Sequence, residues 1–263
     1  MNPSLTDAIV PAIEMSGVSV GAREEPETPV LEKIDWTVMP GEYWVIGGMH
    51  GAGKTALLSL AVGLTAPLQG RYRLYGQDMP AKGDQFLAER LRIGLVFDNG
   101  QLFHQLTIQE NIALPLFYHR NLPDAELIKT VNAIIEWADL TPYASSLPGG
   151  VGREWLKRAG LARSLVLQPE ALLLDNVLSG LDSRHVHWWL EALDELSAGG
   201  GPQDGRRLTV IAVTQDFRPW RHRAAQFAVL QRGRLCVLGH HPHLADLRDP
   251  LVKELLAEPL PAA

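Results

Sequence analysis

Residues Gly48 to Thr55 read GMHGAGKT and fit the spacing G-x-x-x-x-G-K-[ST]. Glycines in such a loop let the backbone bend until successive amide N–H groups face one anion, and a helix starting directly behind the loop adds the positive end of its dipole. The chemistry this suits is phosphate binding. Lys54 would reach the β- and γ-phosphates of a nucleotide, and the Thr55 hydroxyl would be offered to Mg²⁺. The candidate binding set is therefore Gly48, His50, Gly51, Ala52, Gly53, Lys54, Thr55 and Ala56. A second acidic element closes the apolar run ALLLD at Asp175. A carboxylate directly after a buried strand lies at the carboxyl edge of the sheet, where open α/β sheets bind ligands, and can hold Mg²⁺ or its water.

The elements that must position these groups are legible as short apolar runs bounded by Gly, Pro or charge: Glu42 to Ile46, Arg92 to Phe97, Ala171 to Leu174 and Leu208 to Val213. Continuous rather than alternating apolarity suits parallel strands covered on both faces, which predicts an α/β sheet. From Leu106 to Leu167 the text turns helical; Ala125, Ile128, Val131, Ile134, Ile135 and Ala138 recur at helix spacing. This segment is expected to be a helical subdomain inserted into the sheet. Gly199 to Arg207 reads as a loop, and the text around Gly233 as a terminal hairpin.

Composition narrows the classes further. The 263 residues are 46% hydrophobic and 21% charged, enough to bury a sizeable core. A formal charge of -6 argues against nucleic-acid binding through a broad basic face. The single cysteine, Cys236, cannot form an internal disulfide, and MNPSLTDAIVPAIEM lacks a basic start followed by an apolar run, so the expectation is a cytoplasmic protein. No apolar stretch approaches the ~20 residues needed to cross a bilayer. His240, His241 and His243 follow a predicted hairpin in a surface tail, so a zinc site is not expected. Trp188 and Trp189 read as helix packing residues rather than a ligand platform.

Taken in order, GMHGAGKT, LFHQLTIQENIALPL, RAGLARSLVLQPEALLLDN, LSGLD and TVIAVTQD resemble an ATP-binding-cassette transporter ATPase over about residues 15 to 250. The resemblance implies a P-loop NTPase (RecA-like) core over about 15–105 and 166–250, a helical subdomain over about 106–165, and a short C-terminal tail. It implies ATP and Mg²⁺ as cofactors, a second nucleotide-binding subunit, and an integral-membrane permease holding the chain to the inner face of the plasma membrane. The wording IGLVFDNGQLFHQLTIQENIALPL looks most like the lipid-trafficking, maintenance-of-lipid-asymmetry branch. SGLD at Ser179 to Asp182 matches the loop that crosses the dimer interface in that family, which makes Asp182 a candidate cross-subunit contact.

Four positions depart from the family. Asp98 stands where the family has a Gln that senses Mg²⁺, water and permease; a carboxylate can ligate Mg²⁺ but adds negative charge near the γ-phosphate. The signature loop LSGGQ has no serine here: a gap-free alignment puts Val151 to Trp155 in its slot, and a four-residue shift puts Leu147 to Val151 there. Arg153 is then either a substitute phosphate contact or a turn residue paired with Glu154. Asn176 replaces the Glu that acts as general base; an amide orients water but takes no proton. Gln215 replaces a His and can donate a hydrogen bond, though not as a cation. Together these predict ATP binding with weak hydrolysis, unless Asp98 serves as the missing acidic group. The alternative is a non-catalytic ATP-binding module paired with another ATPase. No Tyr, Phe or Trp occurs in GVSVGAREEPETPV, where the family places an adenine-stacking aromatic.

Overall fold

A computed structural model describes residues 9–21, 28–79, 84–240, 244 and 249–257. His241 and His243 lie outside these, as do residues 22–27 of the segment in which the adenine-stacking aromatic is expected.

The chain is an α/β protein built on two sheets. Strands β3 (Tyr43–Gly47), β6 (Ile93–Val96), β7 (Ala171–Asp175), β8 (Thr209–Thr214), β9 (Gln226–Gln231) and β10 (Arg234–His240) form one in the order β10-β9-β3-β8-β7-β6. All its pairings are parallel except β9 with β10, which closes the expected hairpin. The four expected apolar runs fall on β3, β6, β7 and β8 with ends shifted by a residue or so. The second sheet was not expected from the sequence: β1 (Ile13–Gly21), β2 (Pro29–Val38), β4 (Gln69–Leu74) and β5 (Gln77–Met79) pair antiparallel in the order β2-β1-β4-β5.

The uniform apolarity of the central strands follows from burial on both faces. Tyr43 and Val45 of β3 join a core with the helices, whereas Trp44 and Ile46 join a second core, which also takes α1 (Lys54–Ala61) and the inner face of the antiparallel sheet. Tyr72 of β4 seals that second core by donating its hydroxyl to Ala61 O at 2.6 Å.

Residues 106–165 are mainly helical, as the text suggested, with α3 (Ile108–His119), α4 (Asp124–Trp137) and α5 (Arg153–Leu165). α3 starts with a capping box, Thr107 accepting from Glu110 N and Glu110 returning to Thr107 N. The remaining helices, α2 (Asp84–Leu91), α6 (Ser183–Ala198) and α7 (Pro250–Leu256), complete the layers. Trp189 of α6 is fully buried in the helix-side core, and Trp188 stacks on the Arg158 guanidinium at 3.8 Å.

The loop after β6 is seated on α5 by backbone contact. A Cβ at Gly160 would stand 2.8 Å from Gly100 Cα, and one at Gly100 would collide with the Leu156 carbonyl. Gly100 also has φ +72, a left-handed conformation that disfavours side chains. Arg163 fastens the same loop, donating to Gln101 O and Gly100 O, both at 2.9 Å. Gly100→Ala is therefore expected to cost about 2–4 kcal/mol, a drop in Tm on the order of 5–10 °C, measurable by thermal unfolding.

Candidate nucleotide site

The loop GMHGAGKT joins β3 to α1 and lies at the carboxyl end of the parallel strands, where Asp175 closes β7. Gly51 and Gly53 turn it with φ +77 and +96. Gly53 is the N-cap of α1, and no side chain caps that helix or places an acid in its first turn. The first-turn amides of an α-helix have no partner within the helix, so this terminus can offer its N–H groups to an anion. Gly48 sits where a side chain would collide with Leu230 O, which holds the loop close to β9.

Lys54 is buried, and its ammonium donates to Gly48 O at 2.6 Å and Met49 O at 2.8 Å, so it lies inside the curl of the loop. Burial lowers its pKa, with the negative charge of Asp175 acting the other way. Thr55 Oγ1 donates to Asp175 Oδ2 at 2.8 Å. Burial raises the Asp175 pKa; the Thr55 hydrogen bond and Lys54 lower it, and the charge of Asp98 raises it again. Hydroxyl and carboxylate oxygens in contact are the ligand types Mg²⁺ prefers, and a partly desolvated carboxylate gains from a divalent cation. The residues present thus fit Mg²⁺. His50 and Gly51 lie at the exposed tip of the loop, with Ala52 behind them; Ala56 follows Thr55 in the first turn of α1.

Asn176 follows Asp175 with φ +52, and its backbone N–H donates to Val213 O at 3.0 Å. Asn is among the side chains that tolerate the left-handed region. Gln215, just past β8, is exposed. Asp182 does not wait unoccupied for a partner: its carboxylate caps α6, accepting from His185 N at 2.9 Å, and that bond is the main reason its pKa is lowered.

Asp98 departs from expectation. Its two oxygens are held by Lys157 Nζ at 2.7 Å and Arg153 Nη2 at 2.9 Å. The carboxylate is therefore neither bare negative charge nor a free base, and both proposed uses of it, as Mg²⁺ ligand and as replacement for the missing glutamate, compete with two cations. Arg153 correspondingly pairs with Asp98, not with Glu154.

Helix geometry also separates the two signature alignments. α5 begins at Arg153 with Gly152 as N-cap, so the gap-free slot Val151 to Trp155 opens a 13-residue helix, whereas Pro148–Gly150 of the shifted slot form a short 3₁₀ turn. At the α5 terminus the Glu154 side chain folds back over Gly152, its Cδ 2.9 Å from where a Cβ would stand. A carboxylate there opposes an approaching phosphate. Glu154→Gln should strengthen Mg·ATP-dependent self-association about tenfold, as measured by analytical ultracentrifugation; an unchanged dimerisation constant would remove Glu154 from the interface.

Two features were not anticipated: Lys157, and Asn111, whose buried Nδ2 shares its two protons among Phe103 O, Leu106 O and Thr107 O, all within 3.0 Å, while its Oδ1 accepts from Phe103 N. Lys157 lies in no quoted motif, and Asn111, though inside LFHQLTIQENIALPL, shows its role only through contacts formed in the folded chain.

A family model described as "ABC transporter" matches residues 31–179, more than half of the chain. The chain belongs to the ABC transporter family. Among its curated relatives, "Methionine import ATP-binding protein MetN 2" of Paraburkholderia xenovorans is 32% identical over 81% of this chain and 53% of the relative. The MetN protein of Geobacillus kaustophilus is 29% identical over 87% of this chain and 65% of the relative. This ABC chain thus spans about half to two thirds of the length of these relatives. Among solved structures, a dimeric post-hydrolysis state of the ATP-binding cassette MJ0796 bound to ADP and Pi superposes with a TM-score of 0.76 at 25% identity, covering 85% of this chain and 96% of that one. The named relatives are methionine import proteins, so the expected lipid-trafficking branch finds no support among them. Among the described residues no helix is long and apolar enough to cross a membrane.

Proposed function

We propose that this chain is the ATP-binding subunit of an ABC importer of a small solute of the amino-acid class, with nucleotide binding as its robust property and hydrolysis as its slow one. The single observation that carries the reading is the intact grip: a curled glycine loop, a buried lysine inside it, and a threonine hydroxyl on a carboxylate at the sheet edge. The amino-acid class comes from the relatives named above and replaces lipid as the cargo. Mg²⁺ would be held by Thr55 and Asp175 and would neutralise charge on the triphosphate. The chain's own residues then divide the work. Lys54 and the first-turn amides of α1 bind the phosphates, Asn176 and Gln215 orient water without removing its proton, and Asp98 is held by Arg153 and Lys157.

A permease partner fits the surface of α3. Phe117 and Tyr118 are 76% and 77% exposed, with Phe103 at 54% in the preceding loop. Large exposed apolar side chains grouped on one element mark interaction sites. The deciding experiment is calorimetric titration with Mg·ATP together with steady-state turnover of the chain co-purified with its permease. Binding with turnover well below that of an ABC ATPase carrying the usual glutamate is expected; no binding would end the proposal. Robust turnover abolished by a Lys54 variant would eliminate the slow-hydrolysis part and the non-catalytic alternative.

A further inference from the structure

Lys157 lies outside every motif considered above, yet it is fully buried and its ammonium donates three hydrogen bonds, to Asp98 Oδ1 at 2.7 Å, Val177 O at 3.0 Å and Ser179 O at 2.6 Å. An ammonium has three protons, so every one is used. The acceptors belong to two different loops. Asp98 is on the loop after β6; Val177 directly follows Asn176, and Ser179 begins the stretch ending in Asp182. Lys157 therefore ties both loops to α5. Arg153, one turn earlier on α5, holds the other Asp98 oxygen, so the carboxylate faces two positive charges.

We propose that Lys157 is a positioning residue that fixes the Asp98 and Asn176–Asp182 loops on α5 and screens the Asp98 carboxylate from the terminal phosphate of bound ATP. The inference rests on the ATP-binding reading. Its electrostatic content is specific. Asp98 stands two residues past Val96, which pairs with Leu174 directly before Asp175, so the two carboxylates leave neighbouring parallel strands at the same sheet edge, and Asp175 meets the phosphate loop at Thr55. A carboxylate stripped of one of its two cations at this edge would repel a triphosphate more than a diphosphate, because the triphosphate carries the additional negative charge. A lysine that merely packed the core would affect both nucleotides alike.

The test compares ATP with ADP, each with Mg²⁺, by calorimetry on the full chain. In Lys157→Met the ratio of ATP to ADP affinity is expected to fall about tenfold. In Asp98→Asn/Lys157→Met, where charge and counter-charge leave together, the ratio should return to within about threefold of the unaltered chain. Asp98→Asn alone leaves both cations in place and should raise the ratio, and it decides the matter should Lys157→Met fail to fold. Equal loss of ATP and ADP in Lys157→Met, an unrestored ratio in the double variant, or a lower ratio in Asp98→Asn would each overturn the inference. An unaltered chain that binds neither nucleotide overturns the ATP-binding reading itself, a different result from normal binding with insensitive ratios.

Discussion

Asn176→Glu is expected to raise kcat for ATP hydrolysis by about 10²- to 10⁴-fold, the range a positioned general base contributes. The backbone is already fixed for the exchange. Asn176 follows the last residue of β7, its N–H is held by Val213 O on the neighbouring strand, and Ser179 N donates to its carbonyl at 3.1 Å. The substitution therefore changes the side chain more than its place. Glutamate tolerates φ +52 less well than asparagine, so a loss of about 1 kcal/mol, or a Tm lower by about 2–4 °C, should accompany the gain. The measurement is steady-state turnover at saturating Mg·ATP, with KM read separately. A gain confined to kcat assigns the missing base as the limit on chemistry. A gain below threefold shifts that limit to Gln215 or to the α5 terminus, where Glu154 overlies Gly152.

The same contrast between local and assembled features explains what the sequence could disclose. β3, β7 and β8 were readable because burial on both faces makes their text uniformly apolar. β1 and β2 were not, because register irregularities between Met15 and Val18 and again around Val20 interrupt the alternation, leaving it intact in β2 only over the short stretch Ile34, Trp36 and Val38. β4 shows only Tyr72 and Leu74 as buried residues among polar neighbours. At the site, Thr55 and Asp175 are 120 residues apart yet were expected together, and their side chains touch, since a phosphate loop and a strand-end carboxylate are both placed by the same sheet edge. The partners of Asp98 follow no such rule. Arg153 and Lys157 lie 55 and 59 residues away on a helix, and their approach depends on the Gly100–Gly160 contact, which no short pattern encodes.

Lys54→Ala should weaken Mg·ATP binding on the order of 10²- to 10⁴-fold, with a smaller loss for ADP. A charge-assisted hydrogen bond contributes roughly 1.5–3 kcal/mol, and the lysine is positioned to make one to each of the two outer phosphates, of which ADP has only one. Lys54 now bonds to Gly48 O and Met49 O, so it must exchange those neutral acceptors for anionic ones, and the exchange favours the anions because the ammonium is already largely desolvated. Fold stability should move little, since the carbonyls released lie on a loop whose neighbours at 49 and 50 are exposed to water. Lys54→Met, which keeps an unbranched side chain but not the charge, separates packing from electrostatics and is expected to match Lys54→Ala in affinity. If either variant kept ATP binding within fivefold, the first-turn amides of α1 and Mg²⁺ would suffice for the grip, and Lys54 would serve chiefly to hold the loop in shape.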